Sequence, residues 1–248
     1  YARNAFSRIL NDKRQIVDIT NNYAKISFNF GPTLLSWLEQ KSPEIYQAIL
    51  DADKLSQKNF SGHGSALAQV YSHMIMPLAN LRDKKTQVLW GIKDFEYRFK
   101  RKPEGMWLAE TAVDVQTLEI LAEFEIKLTI LAPHQARRLR LLNTESWQEL
   151  NGQKIDSRRA YLCKLPSGKV INVFFYDGAL AQGVAFNGFL NNGENFAHQL
   201  VSSFDYQNPQ GQLVNIATDG ETYGHHHKFG DMALSYCLKS VETQHQTQ

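Results

Sequence analysis

The stretch "VINVFFYDGALAQGVAF", Val170 to Phe186, contains the unit on which the fold is built. Its first seven residues are β-branched, aromatic or apolar apart from Asn172, which predicts a strand over Val170–Tyr176. Asp177-Gly178 ends that strand, and a helix is expected over Leu180–Leu190. A strand running through an acid and a glycine straight into a helix is half of a βαβ crossover.

The same alternation recurs outward in both directions. Upstream, "KISFNF" (Lys25–Phe30) reads as a strand broken by Gly31-Pro32, with Pro32 in the first turn of a helix through "TLLSWLEQ". Ser42-Pro43 opens another helix. "FSGHGSALAQ" (60–69) is expected to be a glycine-punctuated loop entering a further helix that Pro77 bends or ends. Helical spacing returns over Asp83–Phe99, and "GMWL" (105–108) is a short strand delivering Ala109-Glu110. Val113–Phe124 is amphipathic, and "KLTILAP" is a strand stopped by Pro133. Tyr161–Leu165 forms a hairpin with Val170–Tyr176 around "PSGK". Downstream, a helix is expected over Asn195–Phe204 and a last strand over "QLVNIAT" (212–218), which ends at Asp219. Strands alternating with helices argue for a parallel α/β fold in one domain without a linker.

Composition narrows the function classes. The chain has 248 residues and a net charge of +2, and its densest basic group is only Lys100-Arg101-Lys102, too short for a nucleic-acid surface. No apolar run approaches the roughly 18 residues of a membrane span. Cys163 and Cys237 are the two cysteines, far apart and in no metal or disulfide pattern, so a reducing, cytoplasmic setting is expected. No leader is recognisable, and the opening Tyr1 suggests a fragment.

Chemistry in parallel α/β folds gathers at the carboxyl ends of strands. Three expected strand ends carry acids: Glu110, Asp177 and Asp219. Two carboxylates facing each other across such a mouth suit glycoside hydrolysis, with one ionised as nucleophile and the other a proton donor of raised pKa. Trp107, three residues before Glu110, could border a sugar site. The residues alone leave open that these acids merely cap the helices that follow.

"ATDGETYGHHHKFGD" (217–231) also raises a metal reading, with His225, His226 and His227 beside Asp219 and Glu221. Consecutive histidines alternate faces on a strand, and no H-E-x-x-H spacing occurs, so the alternative is that one histidine lines a pocket while the others meet backbone or solvent. No nucleophile elbow or phosphate loop is present.

Taken together, "GMWLAETAVD" and "ATDGETYGHH" resemble conserved regions of glycoside hydrolase family 57. "NNYAKISFNFGPTLLSWLE" is similar to the branch of that family that carries a DUF3536 domain. The resemblance implies an incomplete (β/α)7 TIM-like barrel, α-glucan substrates and a retaining mechanism with no obligatory metal or cofactor. It implies Glu110 as nucleophile and Asp219 as general acid/base, with Trp107, Asp177, Glu221 and His225 binding substrate. Tyr223 stands where the family usually has phenylalanine. The family's histidine-containing first strand and its C-terminal helical region have no counterpart in residues 1–248, so a single barrel domain lacking both is expected. Two other classes stay open: a metal-dependent polysaccharide deacetylase and a carbohydrate-binding barrel without catalysis.

Overall fold

The computed structural model describes residues 1–153 and 155–244. The chain opens with α1 (Ala2–Ala5) and an antiparallel hairpin of β1 (Ser7–Leu10) and β2 (Ile16–Thr20), a stretch to which the sequence reading assigned no element. α2 (Pro32–Lys41) and α3 (Pro43–Asn59) each begin on proline, where the missing N–H is no loss. β3 (Ala68–Gln69), α4 (Leu81–Phe99), β4 (Met106–Trp107), α5 (Val115–Glu123) and β5 (Leu128–Leu131) then alternate. A hairpin arm of β6 (Arg138–Leu139) and β7 (Gln148–Glu149) follows. β8 (Ala160–Lys164) runs antiparallel to β9 (Val170–Phe175), and α6 (Gly178–Ala185), α7 (Gly193–Val201) and α8 (Gly230–Gln244) complete the described chain.

The parallel part is a wall of neighbours in chain order. Phe28 bridges Ala66, β3 pairs with β4, Gly105 bridges Leu128, and β5 pairs with β9 along Leu128↔Asn172 to Leu131↔Phe175. Beyond β9, the Asp177 N–H donates to Asn215 O at 2.9 Å, and Asn215 Nδ2 donates to Phe175 O at 3.2 Å. α4 packs against β3 and α5 against β9. Met106, Leu108, Val88, Leu121 and Ile49 are fully buried in the main core between sheet and helices. α4 lies so close to β3 that a Cβ on Gly91 would overlap the Gln69 carbonyl oxygen.

The two ends of the chain meet. Ile26 packs against both the main core and a second cluster formed by Val184, Leu190, Phe196, Leu234 and Cys237. A buried polar network ties the same region: Asn22 Nδ2 donates to Asn4 Oδ1 and to Asp231 O, both at 3.0 Å, and Ser235 Oγ donates to Asn22 Oδ1 at 2.8 Å.

Several expectations need correction. The loop expected over 60–69 ends in β3, because Ala66, Ala68 and Val70 are buried at alternate positions, which is strand periodicity, and the helix expected after it is only a 3₁₀ turn, Met76–Leu78. "KISFNF" contributes one bridge at Phe28 rather than a strand, and "QLVNIAT" follows β9 through the Asn215 bonds without strand pairing. α6 stops at Ala185, short of Leu190. Among the described residues the parallel segments form short separate sheets and no closed barrel. The α/β alternation stands, and among the described residues five parallel segments are linked in sequence by pairings and single bridges. Cys163 and Cys237 are both free thiols. No helix among the described residues is long and apolar enough to cross a membrane.

Candidate active site

All five parallel segments run the same way, so the residues leaving their carboxyl ends share one rim. Asn29 Nδ2 donates to Gln69 Oε1 at 2.7 Å, joining the first two segments. His73, on the loop leaving β3, places Nε2 3.0 Å from Glu110 Oε1, on the loop leaving β4. Gln135, leaving β5, donates Nε2 to Thr111 O at 2.8 Å. Pro133 lies against Gly178 at the start of α6. The rim comes back to its start through Tyr1, whose hydroxyl donates to Glu221 Oε1 at 2.6 Å and whose ring meets Phe30 edge-on at 5.4 Å.

Glu110 is presented by a sharp reversal. Leu108 and Ala109 are buried, and then Glu110 and Thr111 both take φ of 55°, a left-handed conformation that side chains other than glycine rarely adopt. Two such residues in a row cost on the order of 1–3 kcal/mol each, and strain of this kind concentrates at functional sites. His73 also lies at positive φ, 51°. The result is an exposed carboxylate aimed outward from a buried strand end. Met106 packs near Gly91 of α4 on the helix side, so Trp107, next along the strand, faces the opposite side of the wall.

The three acids expected at strand ends are not equivalent, and Asp219 follows no strand among the described residues. Asp177 Oδ1 accepts from the Ala179 and Leu180 N–H groups at 2.9 and 3.0 Å and caps α6. Glu110 caps nothing, since Asp114 performs that task for α5 through Thr117 N at 2.7 Å. Asp219 precedes a short 3₁₀ turn, Gly220–Thr222, without a side-chain cap bond. Helix capping therefore accounts for Asp177 and leaves Glu110 and Asp219 unexplained. Gly220, between Asp219 and Glu221 in sequence, lies against the Tyr1 ring, and both carboxylates raise the pKa of the Tyr1 hydroxyl.

Electrostatics fix the protonation of part of this rim. Burial first, then the hydrogen bond to Glu221 and the charges of Glu221 and Asp219, push the Tyr1 phenol well above the usual tyrosine range. The Tyr1 hydrogen bond first, then a backbone hydrogen bond and the neighbouring His226 and His225, hold the Glu221 carboxyl below the usual range, against a smaller effect of burial. Glu221 is thus an ionised acceptor.

The histidine run does not converge. The His225 and His226 N–H groups both donate to Glu221 O at 3.0 Å, and their rings meet edge-to-face at 5.1 Å. His227 turns away, with Nε2 2.8 Å from Ala185 O. Among the described residues no group of three His, Cys, Asp or Glu is arranged to hold a metal. The donors among the described residues therefore do not fit the deacetylase alternative.

Two rim residues escaped the sequence reading. His73 lies in "YSHMIMP", where no local pattern marks it, and its partner is 37 positions away. Tyr1 carries no signal at all, and its partner is 220 positions away.

The sequence profile of the family described as "Glycosyl hydrolase family 57" matches residues 1–247. "Alpha-amylase 1" of Dictyoglomus thermophilum is 27% identical over 106 residues, 43% of this chain and 15% of that protein. An exo-type maltose-forming amylase from Pyrococcus sp. ST04 superposes with a TM-score of 0.66 at 17% identity, covering 96% of this chain and 40% of that one. A 4-alpha-glucanotransferase from Thermococcus litoralis superposes with a TM-score of 0.61 at 16% identity, covering 90% of this chain and 31% of that one. The chain thus spans less than half the length of these relatives, and the superpositions establish the fold.

Proposed function

The chain belongs to glycosyl hydrolase family 57, and on that premise we propose that it is the barrel portion of a retaining α-glucan hydrolase or 4-α-glucanotransferase. Glu110 attacks the anomeric carbon, and Asp219 protonates the departing glycosidic oxygen. A glycosyl ester on Glu110 results. Asp219, now a base, takes a proton from water or from an acceptor sugar hydroxyl, which displaces Glu110 and regenerates the enzyme. Trp107 supplies an aromatic face to a sugar ring. Glu221, His225 and Asp177 bind sugar hydroxyls, with Asp177 using the oxygen that does not accept the two cap bonds. The cytoplasm and a carbohydrate substrate are the matching setting and partner.

The observation that carries this reading is the division among Asp177, Glu110 and Asp219. One is consumed by a helix cap, whereas Glu110 and Asp219 stand on the rim without a capping role. Glu110 is further held at its strained position by His73. Replacing Glu110 with Gln in the full-length protein tests it: turnover of soluble α-glucan should fall by at least about 10³-fold with the thermal midpoint unchanged. Retained turnover contradicts the assignment.

A further inference from the structure

The arm between β5 and β8 borders a hollow, open to solvent, that the proposed dyad does not use. Its volume is about 360 Å³, and His134, Gln135, Arg137, Glu149 and Asn151 are among the residues lining it. That size falls within the roughly 300–1,000 Å³ of ordinary ligand sites. The arm's base is anchored, since Leu150 and Ile155 are buried with Leu131, Val173 and Phe175, and the Leu150 N–H donates to Arg137 O at 2.9 Å. Its inner turn is closed by Gln153 N donating to Leu150 O at 2.7 Å, with Asn151 and Gly152 both at positive φ. Asparagine and glycine tolerate that conformation, so the turn presents the Asn151 side chain on a defined backbone.

The cavity adjoins the rim. Gln135 lines it, and the same side chain donates to the carbonyl of Thr111, the residue after Glu110. Two guanidiniums share its one carboxylate: Arg137 Nε lies 3.6 Å from Glu149 Oε2, and Arg138, outside the lining, lies 4.0 Å from Glu149 Oε1. An anionic ligand would meet the Glu149 carboxylate. A neutral polyol would meet amide, guanidinium and carboxylate groups able to donate and accept in pairs, which suits vicinal hydroxyls.

We infer that this cavity is a remote glucosyl subsite, occupied by a unit of the same α-glucan chain whose scissile bond lies at Glu110. The inference rests on the α-glucan reading above and adds to it a determinant of chain-length preference. Short oligosaccharides bound at Glu110 do not reach the cavity, whereas longer ones gain the contacts of Arg137, Glu149 and Asn151.

Calorimetric binding of maltotriose to maltoheptaose by the full-length Glu110→Gln protein tests it, alone and combined with Arg137→Ala or Glu149→Gln. The expected result is a loss of about tenfold in affinity for maltoheptaose in both combined variants, with maltotriose affinity unchanged. Unchanged short-chain affinity excludes misfolding, and the two variants act on opposite partners of one ion pair. An equal loss at every chain length, or none, overturns the inference. Heat of binding of inorganic phosphate that disappears with Arg137→Ala, with saccharide affinities intact, overturns it in favour of an anion site. Failure of the Glu110→Gln parent to bind any oligosaccharide overturns it together with the α-glucan reading. Retained turnover by Glu110→Gln contradicts the assignment of Glu110 and leaves the chain-length test to decide the subsite.

Discussion

His73 Nε2 lies 3.0 Å from Glu110 Oε1, and both residues hold left-handed backbone conformations, φ 51° and 55°. Their side chains are 62% and 72% exposed, so the contact contributes little to stability, in the range of ~0–1 kcal/mol. Its value is positional: two adjoining strand exits each turn sharply, and the imidazole fixes where the carboxylate points.

His73→Asn tests that role, because asparagine accepts positive φ but does not reach Glu110. The turnover number should drop by about ten- to a hundredfold, with KM and thermal stability nearly unchanged. A loss confined to KM would instead make His73 a substrate contact.

Glu110→Gly removes a side chain from a left-handed position that costs on the order of 1–2 kcal/mol. Chemical denaturation should show the variant equal to or slightly more stable than the parent, by up to about 1 kcal/mol, while turnover vanishes. A clear destabilisation would mean that Glu110 is structural.

Lys84 is buried to 2% exposure in α4 and lies 2.5 Å from Asp114, the cap of α5, on the segment that follows Glu110. Burial raises the Asp114 pKa, but the Lys84 ion pair and the Thr117 hydrogen bonds outweigh it and hold the carboxyl below the usual range. The two partners should respond unequally. Asp114→Asn keeps a capping side chain yet strands a buried ammonium, and should cost about 3–5 kcal/mol, whereas Lys84→Met leaves a carboxylate still 37% exposed and should cost about 1 kcal/mol. Urea denaturation of both variants measures the difference.

The Tyr1–Glu221 bond sets a pH window. Glu221 has a depressed folded-state pKa, so its contribution is present above the ordinary carboxylate value near 4.5 and is lost as pH falls below it. Tyr1 has a raised folded-state pKa, so its contribution is full below the ordinary tyrosine value of 10.0 and is lost as pH rises beyond it. Tyr1→Phe should therefore narrow its stability gap to the parent at both extremes, a shape that thermal melts across pH 3–11 reveal. A gap independent of pH would show that the hydroxyl does not matter.

How much of this was legible in the sequence depends on the distance over which each feature is encoded. α4, α5 and β9 followed from local periodicity and from caps such as Asp114 and Asp177, and their bounds differ from expectation by only a few residues. β3 was missed because small residues in "SALAQV" carry weak strand propensity, and its place is set by α4 packing through Gly91. "QLVNIAT" alternates like a strand but meets only the Asn215 bonds at the edge of the wall. The position of Glu110 just past a strand was legible because β4 was expected there, whereas the strand expected before Asp219 is absent among the described residues. His73 and Tyr1 were not, since contacts across 37 and 220 positions leave no local pattern. The histidine run shows the limit of reading neighbours as a ligand set, because His225 and His226 stay in ring contact while His227 turns to the Ala185 carbonyl.

The central claim is that Glu110 forms a covalent bond to sugar. Incubating the full-length protein with an activated fluoroglucoside, whose fluoride leaves readily while the ring fluorine slows hydrolysis, should trap a glycosyl ester. Mass spectrometry of the digested protein should then find one fluoroglucosyl group on the peptide carrying Glu110, and none in the Glu110→Gln variant. An adduct on another carboxylate, or turnover of the α-glucan with no adduct and an inverted anomeric product, would contradict the account.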